Sequence, residues 1–283
     1  MTQPTTDSSS PVPNAPGVNV KGADGSGQMF DQIARRYDLL NRIISLRFDQ
    51  GWRRKLVASL PSTGELLDVA TGTADVALSL AQTSPEVTVI GLDPSVNMLE
   101  VGREKVVRDQ LPARVSLEEG TALDMPYASN RFAGSCVAFG VRNFPDRLRG
   151  MREMNRVTEA GGPVAVLELS EPRDGIFAPF VRFHVHHVVP WLGAILSGNR
   201  EYRYLQKSVQ AFPPPQAFAE LMEEAGITNV RIERMPFGVA HLYVGQASES
   251  VPKDQNQDSA QEETTLDPAT DSPAQRASEE SAT

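Results

Sequence analysis

The segment LDVATGTAD (67–75) places a small polar turn directly after an apolar run. Thr71, Gly72 and Thr73 suit a tight connection from a strand to a helix, and the missing Cβ of Gly72 lets a ligand approach the backbone closely. Turns of this kind also occur in α/β proteins that bind nothing there. The segment therefore indicates a binding turn but leaves a purely structural role open.

An acidic residue closes the next apolar run, VTVIGLD (87–93). Asp93 stands roughly 20 residues beyond Gly72, where a carboxylate can accept hydrogen bonds from both hydroxyls of an adenosine ribose. Asp93 could instead cap the helix that follows. Because Ser95 is available as the N-cap, the sequence favours ribose binding.

A second acid follows the third apolar run, in GTALDMPY (120–127). Asp124 could accept a hydrogen bond from the amino group of an adenine, with Ala122 and Leu123 covering the ring. The alternative is that Asp124 only caps a turn. Three such placements after successive strands are more specific together than any one of them alone.

The composition of the first turn separates two cofactors that contain adenosine. A dinucleotide fingerprint needs G-x-G-x-x-G so that the backbone can approach a pyrophosphate, whereas Ala70 and Ala74 stand here where further glycines would help. Asp68, just inside the strand, would repel a pyrophosphate but suits the amino end of a methionine moiety. The turn therefore favours S-adenosylmethionine over a dinucleotide.

The elements that could position these residues alternate between strands and helices, which is typical of a doubly wound α/β fold with a parallel sheet. Predicted strands cover 65–70, 87–93, 113–120, 132–139 and 163–169. Predicted helices between them cover 74–82, 94–107 and 145–160. In the last helix, Pro145 suits the first turn, and Gly161 with Gly162 ends it. Ligands bind such sheets outside the carboxyl ends of the strands.

The two ends of the folded part differ from this middle. Residues 29–60 have a helical pattern and precede the first strand, so they can cap the strand ends. A helical, aromatic-rich region covers 176–210, and a further helix covers 213–226. Strands at 227–235 and 238–246, joined by Pro-Phe-Gly, predict an antiparallel hairpin at one sheet edge. A sheet that ends in this way favours the methyltransferase arrangement.

Both ends of the chain are predicted to be disordered. Residues 1–27 are rich in Pro, Gly, Ser, Thr and Asn, and residues 247–283 carry nine acidic side chains against two basic ones. Residues 28–246, the predicted methyltransferase domain, then have a net charge of −1, which gives no electrostatic case for nucleic acid as a partner. The acidic tail is interpreted as a solubilising segment.

A cytoplasmic protein without an intrachain disulfide is predicted. Cys136 is the one cysteine and lies in an apolar stretch, so we expect a buried structural thiol. We find no signal peptide or membrane-spanning segment, since the longest apolar stretch, 185–196, is short and holds a proline and two histidines. His184, His186 and His187 lack matching acids or cysteines, so no metal site is predicted.

Two stretches resemble the signatures of the ubiquinone/menaquinone biosynthesis C-methyltransferases, the UbiE/MenG family. YDLLNRIISLRFDQGW (37–52) is similar to the N-terminal signature and RVTEAGGPVAVLELS (156–170) to the second. FGVRN (139–143) and REYRYLQKS (200–208) are also similar to the family. The resemblance covers about residues 28–246 and implies the class I, Rossmann-like methyltransferase fold, with a mostly parallel seven-stranded sheet.

The same resemblance implies S-adenosylmethionine as methyl donor, bound through Thr73, Asp93, Thr121 and Ala122. A serine that contacts the cofactor in the family is Ala138 here. One hydroxyl hydrogen bond is therefore lost or replaced by a backbone contact.

The activity that the resemblance implies is methylation of a ring carbon on a long-chain demethylquinol. Arg142 and Asn143 follow the fourth strand, near the expected methyl group, and Arg142 would stabilise the forming phenolate. Pairing of Arg142 with a carboxylate such as Asp146 is the alternative. Tyr37 and Asp38 are expected to close over the site from the cap.

Three functions remain open from the sequence: a quinol C-methyltransferase, a methyltransferase of another small molecule, and a non-catalytic binding protein. The paired signatures favour the first, while Ala138 and Asp49, the latter where the family usually has His, keep the second open. A menaquinol precursor is preferred to a benzoquinol. Its apolar tail would lie in the aromatic 176–196 region, with peripheral contact at a membrane surface.

Overall fold

Seven strands form one sheet in the computed structural model, which describes residues 48–170 and 199–249. The strands are β1 (Gly64–Val69), β2 (Val87–Asp93), β3 (Val115–Glu119), β4 (Gly134–Ala138), β5 (Pro163–Leu169), β6 (Ile227–Arg234) and β7 (Ala240–Ala247). Their bounds differ from the predicted ones by at most two residues. The central strands β1, β2, β4 and β5 are buried on both faces and are therefore near-continuous apolar runs in the sequence.

Six α-helices lie in the same two stretches: α1 (Phe48–Ala58), α2 (Asp75–Thr83), α3 (Val96–Arg108), α4 (Arg147–Val157), α5 (Asn199–Gln210) and α6 (Pro215–Glu224). None of them is long and apolar enough to cross a membrane. Short 3-10 turns follow β4 and β6, at Val141–Asn143 and Pro236–Gly238. α1 belongs to the predicted cap. The rest of that cap, the 176–196 region and nearly all of both tails lie outside the described residues.

The strand order β3-β2-β1-β4-β5-β7-β6 reverses its direction of growth between β1 and β4. The first five strands in this order are parallel, so their carboxyl ends share one edge, and the reversal leaves a crevice there. β7 pairs antiparallel with both β5 and β6. The predicted doubly wound fold with a C-terminal antiparallel hairpin is therefore confirmed, with β6 at the sheet edge.

Apolar side chains cover both faces of the sheet. On β1, Leu66 packs into one cluster while Leu67 and Val69 pack into the other, and all three are fully buried. Burying each such side chain contributes about 1.5–3 kcal/mol. Cys136 is also fully buried, as predicted, and burial together with the nearby Asp68 charge raises the pKa of its thiol, which keeps it protonated.

α4 differs from its predicted bounds at both ends. It begins after Pro145 because Asp146 is the N-cap: its Oδ1 accepts a hydrogen bond from the N–H of Arg149 at 3.0 Å. It ends before the predicted glycine pair because Thr158 forms a parallel bridge with Phe132. Sheet pairing, which the local pattern does not reveal, thus shortens the helix.

β7 continues one residue past 246, the predicted end of the domain. Ala247 is the last residue of β7; its N–H donates to Gly162 O at 2.9 Å and its carbonyl accepts from Gly161 N at 2.8 Å. The next N–H, that of Ser248, donates to Asn155 Oδ1 at 3.0 Å. We therefore propose that the domain extends to residue 248 rather than to 246.

Candidate active site at the carboxyl ends of the strands

The predicted cofactor-binding residues lie at consecutive strand ends along one edge of the sheet. In sheet order they are Thr121, Ala122 and Asp124 after β3, Asp93 at the end of β2, Asp68, Gly72 and Thr73 at the end of β1 and just beyond it, and Ala138 at the end of β4. An elongated ligand with adenine at β3, ribose at β2 and an amino acid at β1 fits this order.

Asp93 joins two turns at the centre of the site. Its Oδ2 accepts a hydrogen bond from Gly72 N at 2.8 Å, and its Oδ1 accepts one from Ser95 N at 2.9 Å. The N-cap of α3 is Ser95, as the sequence predicted, since its Oγ accepts from Met98 N at 3.2 Å. A carboxylate has about four lone-pair sites, so the same two oxygens can also accept ribose hydroxyls.

The turn after β1 has a left-handed backbone at every second residue: Ala70 (φ 53°), Gly72 (φ 56°) and Ala74 (φ 66°). The conformation costs an alanine about 1–2 kcal/mol but a glycine almost nothing. The strained positions are therefore Ala70 and Ala74, the two alanines that stand where a dinucleotide fingerprint would have glycines. Backbone strain of this kind clusters at binding sites. A Cβ on Gly72 would meet no atom within 4 Å, so the backbone there is open to a ligand.

We expect Gly72→Ala to weaken cofactor binding more than it lowers stability. The new Cβ meets no protein atom, so the left-handed backbone alone costs about 1 kcal/mol of unfolding free energy. The same Cβ projects where the cofactor would approach, so affinity for S-adenosylhomocysteine should fall about tenfold or more, which is about 1.4 kcal/mol. Titration calorimetry and thermal unfolding measure the two effects.

Gly161→Ala is the matched control, because Gly161 is also left-handed (φ 81°) and also open within 4 Å. It should cost similar stability and leave the affinity unchanged. Equal affinity of the two variants would contradict a cofactor placed over Gly72.

Asp68 is buried beneath this turn, with 1% of its surface exposed. Its Oδ2 accepts hydrogen bonds from Thr71 Oγ1 at 2.6 Å and Ala77 N at 3.2 Å, and the thiol of Cys136 donates to its Oδ1 at 3.6 Å. Burial raises the pKa of Asp68 to about 6, although the Thr71 hydrogen bond and the charge of Arg53 act in the opposite direction. Asp68 organises the turn; its role toward an amino group stays a prediction.

The side chain of Thr73 is buried against α3. The sequence analysis had identified no hydrogen-bond partner for it within the protein. Lys105 Nζ donates to Thr73 Oγ1 at 2.9 Å and to Asp75 Oδ1 at 2.7 Å, which ties α3 to the start of α2. A Cβ on Gly102 would come within 3.2 Å of the Ala74 Cβ, so glycine permits this close packing. Lys105 thus holds the turn after β1 against α3.

The loop after β3 presents Thr121 and Asp124 to solvent, while Ala122 is buried. A buried ion pair on α4 supports the loop. Both members of the pair contact the backbone of Met125: its N–H donates to Glu153 Oε2 at 2.9 Å, and its carbonyl accepts from Arg156 Nη2 at 3.0 Å. The loop that should contact the adenine is therefore held in place by hydrogen bonds to α4.

Arg142 forms a buried ion pair with Glu168 of β5. Its Nη1 lies 2.7 Å from Glu168 Oε1 and 2.5 Å from Phe139 O, and its backbone N–H donates to Glu168 Oε2 at 3.0 Å. The side chains are 6% and 0% exposed. The alternative to a catalytic role was pairing with a carboxylate such as Asp146; a carboxylate partner is present, but it is Glu168, and Asp146 caps α4. The pair fixes the segment that follows Ala138.

Asn143 contacts α5, an element that the sequence analysis did not place in the site. Tyr204 Oη donates to Asn143 Oδ1 at 3.1 Å, and burial raises the pKa of this phenol despite the positive charges of Arg142 and Arg147. Arg147 Nη2 donates to Arg142 O at 3.3 Å, and its guanidinium lies 5.6 Å from the Phe212 ring centroid. Polar groups from the 3-10 turn after β4, from α4 and from α5 therefore meet there.

Other predicted residues cannot be placed. Tyr37 and Asp38 of the cap, and His184, His186 and His187, lie outside the described residues. Within residues 48–170 and 199–249, no group of three or more His, Cys, Asp or Glu side chains could hold a metal ion.

Comparison with solved structures assigns the fold. A S-adenosylmethionine-dependent methyltransferase of Thermotoga maritima matches with a TM-score of 0.54, 17% identity and coverage of 78% of this chain and 99% of that one. At this identity the likeness shows the fold. The fold, with polar residues in this order at the carboxyl ends of its strands, is that of the class I S-adenosylmethionine-dependent methyltransferases.

Comparison of sequences is more specific. The chain matches the ubiE/COQ5 methyltransferase family over residues 19–247. It is 42% identical to a demethylmenaquinone methyltransferase of Deinococcus radiodurans, covering 82% of this chain and 97% of that one. It is 39% identical to the ubiquinone/menaquinone biosynthesis C-methyltransferase UbiE of Geotalea uraniireducens, covering 77% and 94%. The chain belongs to the ubiE/COQ5 methyltransferase family.

Proposed function

We propose that this enzyme transfers a methyl group from S-adenosylmethionine to a ring carbon of a demethylmenaquinol. The observation that carries the proposal is the polar cluster that Arg142 and Asn143, after β4, form with Tyr204 of α5. This cluster lies next to the β1 turn that would hold the methyl donor. The name of the Deinococcus radiodurans relative supports this acceptor. The name of the Geotalea uraniireducens relative keeps a benzoquinol as the second candidate.

Methylation of a ring carbon needs electron density on that carbon, aligned behind the methyl group. S-adenosylmethionine supplies a methyl group bound to a positively charged sulfur. Loss of a phenol proton from the reduced quinone raises the electron density of the ring. The ring carbon would then take the methyl group as its bond to sulfur breaks, with S-adenosylhomocysteine leaving, and would lose its own proton to restore the aromatic ring. Arg142, held by Glu168, would stabilise the phenolate, but a guanidinium is too weak a base to take the proton. Asn143 and Tyr204 would orient the phenol by hydrogen bonds.

We expect Asp93→Ala to weaken the binding of S-adenosylmethionine and S-adenosylhomocysteine by about 1.5–3 kcal/mol, because hydrogen bonds to a charged group are lost. Asp93→Asn keeps an acceptor oxygen and should lose less. Titration calorimetry checks both, with Glu86→Ala as control, since Glu86 is exposed just before the opposite end of β2. Unchanged affinity in Asp93→Ala would remove the ribose assignment.

Profiling of quinones by mass spectrometry, in cells that lack this protein, tests the acceptor. We expect demethylmenaquinone to accumulate and the full-length gene to reverse the accumulation. A demethylated benzoquinone would instead support the second candidate, and an unchanged quinone profile would contradict both.

An acceptor with a long isoprenoid tail is dissolved in the membrane, so we also propose that the enzyme reaches it at the membrane surface without a metal ion. Sedimentation with lipid vesicles that contain demethylmenaquinol should show association, and turnover should be unaffected by a metal chelator. Turnover that stops on chelation and returns with a divalent cation would contradict the second part.

A further inference from the structure

One guanidinium lies above the carboxyl ends of β1 and β4, among several carboxylates. Arg53 of α1 has its Nε 3.7 Å from Asp49 Oδ2 and its Nη1 4.0 Å from Asp75 Oδ2. Its positive charge lowers the pKa of Asp68, and its Cζ lies 5.4 Å from the ring centroid of Phe139, the residue after β4. Arg53 is therefore located between the start of α2 and the ends of two neighbouring strands.

The contacts of Arg53, which is half-buried, are looser than those of the other arginines of the site. Both of its ion-pair distances exceed hydrogen-bond length, and its buried Nε donates no hydrogen bond within residues 48–170 and 199–249. By contrast, Arg142 and Arg156 reach carboxylate oxygens at 2.7 Å. A buried donor without an acceptor costs free energy, so an additional anionic acceptor would stabilise this arrangement.

The chemistry of the cofactor matches this place. Its methionyl end carries an ammonium and a carboxylate, and the order of strand ends places that end at β1. An ammonium suits Asp68, but Asp49, Asp68 and Asp75 would repel a carboxylate unless a cation faces it. Lys105 is already engaged with Thr73 and Asp75.

We propose that Arg53 binds the methionyl carboxylate of S-adenosylmethionine. A planar guanidinium with five donors can contact both carboxylate oxygens while its charge stays close to the aspartates. The packing of the adjacent Trp52 on Phe139, with ring centroids 6.4 Å apart, holds α1 in the required orientation. The proposal rests on the assignment of the cofactor and is independent of the acceptor.

Two ligands separate this role from a structural one. S-adenosylhomocysteine carries the amino acid end, whereas 5′-methylthioadenosine has the same nucleoside without it. In Arg53→Met, affinity for S-adenosylhomocysteine should fall about tenfold to a hundredfold, the usual range for a lost charge-assisted contact. Affinity for 5′-methylthioadenosine should change by no more than about twofold, which is within about 0.4 kcal/mol.

Two further variants complete the experiment, which uses calorimetry on the full chain. Arg53→Lys should recover part of the affinity for S-adenosylhomocysteine, because one ammonium keeps the charge but not the planar fork. Arg54→Met removes the same charge from an exposed neighbouring position and should bind both ligands normally. If Arg53→Met does not fold, the same comparison is made with Arg53→Lys. Its affinity for S-adenosylhomocysteine should fall a few-fold, while its affinity for 5′-methylthioadenosine should not change.

An equal loss of affinity for both ligands in the Arg53 variants would overturn the role of Arg53 but not the cofactor assignment. It would show that Arg53 only offsets the negative charge of the nearby aspartates. Failure of the unaltered protein to bind either ligand would overturn the cofactor assignment as well. The two failures are therefore distinguishable.

Discussion

Arg142→Ala is expected to lower both stability and turnover. Removal of the guanidinium leaves the Glu168 carboxylate fully buried without its ion-pair partner, which typically costs about 3–5 kcal/mol of unfolding free energy. If Arg142 also stabilises the phenolate, turnover should fall by about two to three orders of magnitude, the usual effect of removing one preorganised donor. Denaturant unfolding and turnover with reduced quinol measure the two losses.

A double variant separates folding from chemistry. Arg142→Met combined with Glu168→Gln leaves no buried charge in the pair, so most of the lost stability should return, because neutral groups of similar size are tolerated there. Turnover should stay low while affinity for S-adenosylhomocysteine stays near normal. Arg149→Met, on the exposed side of α4, is the control for a lost positive charge.

Near-normal turnover of the double variant would show that Arg142 acts only through folding. Stabilisation of the phenolate would then belong to other groups beside the site, with Tyr204 the first candidate and Tyr37 and Asp38 of the cap the next.

The placement of the cofactor residues could be predicted from the sequence because the signals are local. Gly72 and Asp93 each follow an apolar run directly, and the carboxyl ends of parallel strands share one sheet edge. The Ser95 cap could be predicted for the same reason. The roles of Gly72 and Asp93 toward a ligand remain predictions, which the substitutions above test.

The partners that hold these residues were not predictable, because they come from distant parts of the chain. The alternative to a catalytic Arg142 was a nearby carboxylate partner such as Asp146. That side chain caps α4, and the pairing of β4 with β5 brings Glu168 to the guanidinium instead. Tyr204 reaches Asn143 across 61 residues. Residue spacing alone does not reveal contacts that depend on the packing of whole elements.

Asp68→Asn is expected to make the protein more stable at pH 8 by about 3 kcal/mol. Burial raises the pKa of Asp68 from 3.8 to about 6, so the folded state binds the proton more tightly than the unfolded chain does. Stability of the native protein therefore falls as the pH rises from about 4 to above 6, and two pH units correspond to about 3 kcal/mol. Asparagine cannot ionise and keeps an acceptor for Thr71 and Ala77.

Denaturant unfolding at several pH values checks this expectation. The difference between the native protein and Asp68→Asn should be small at pH 4 and reach its full size above about pH 7. Glu119→Gln, an exposed position at the end of β3, is the control and should give no such pH dependence. A difference that is the same at pH 4 and pH 8 would contradict the raised pKa of Asp68.

The same carboxylate should then matter for binding, because a charge that destabilises the fold can be retained where function needs it. An ammonium beside Asp68 favours its ionised form, so S-adenosylhomocysteine binding near pH 5–6 should release a proton from Asp68. Calorimetry in two buffers of different ionisation enthalpy detects that proton. Asp68→Asn should bind more weakly and release none; equal proton release from both proteins would exclude Asp68 as the partner of the cofactor's amino group.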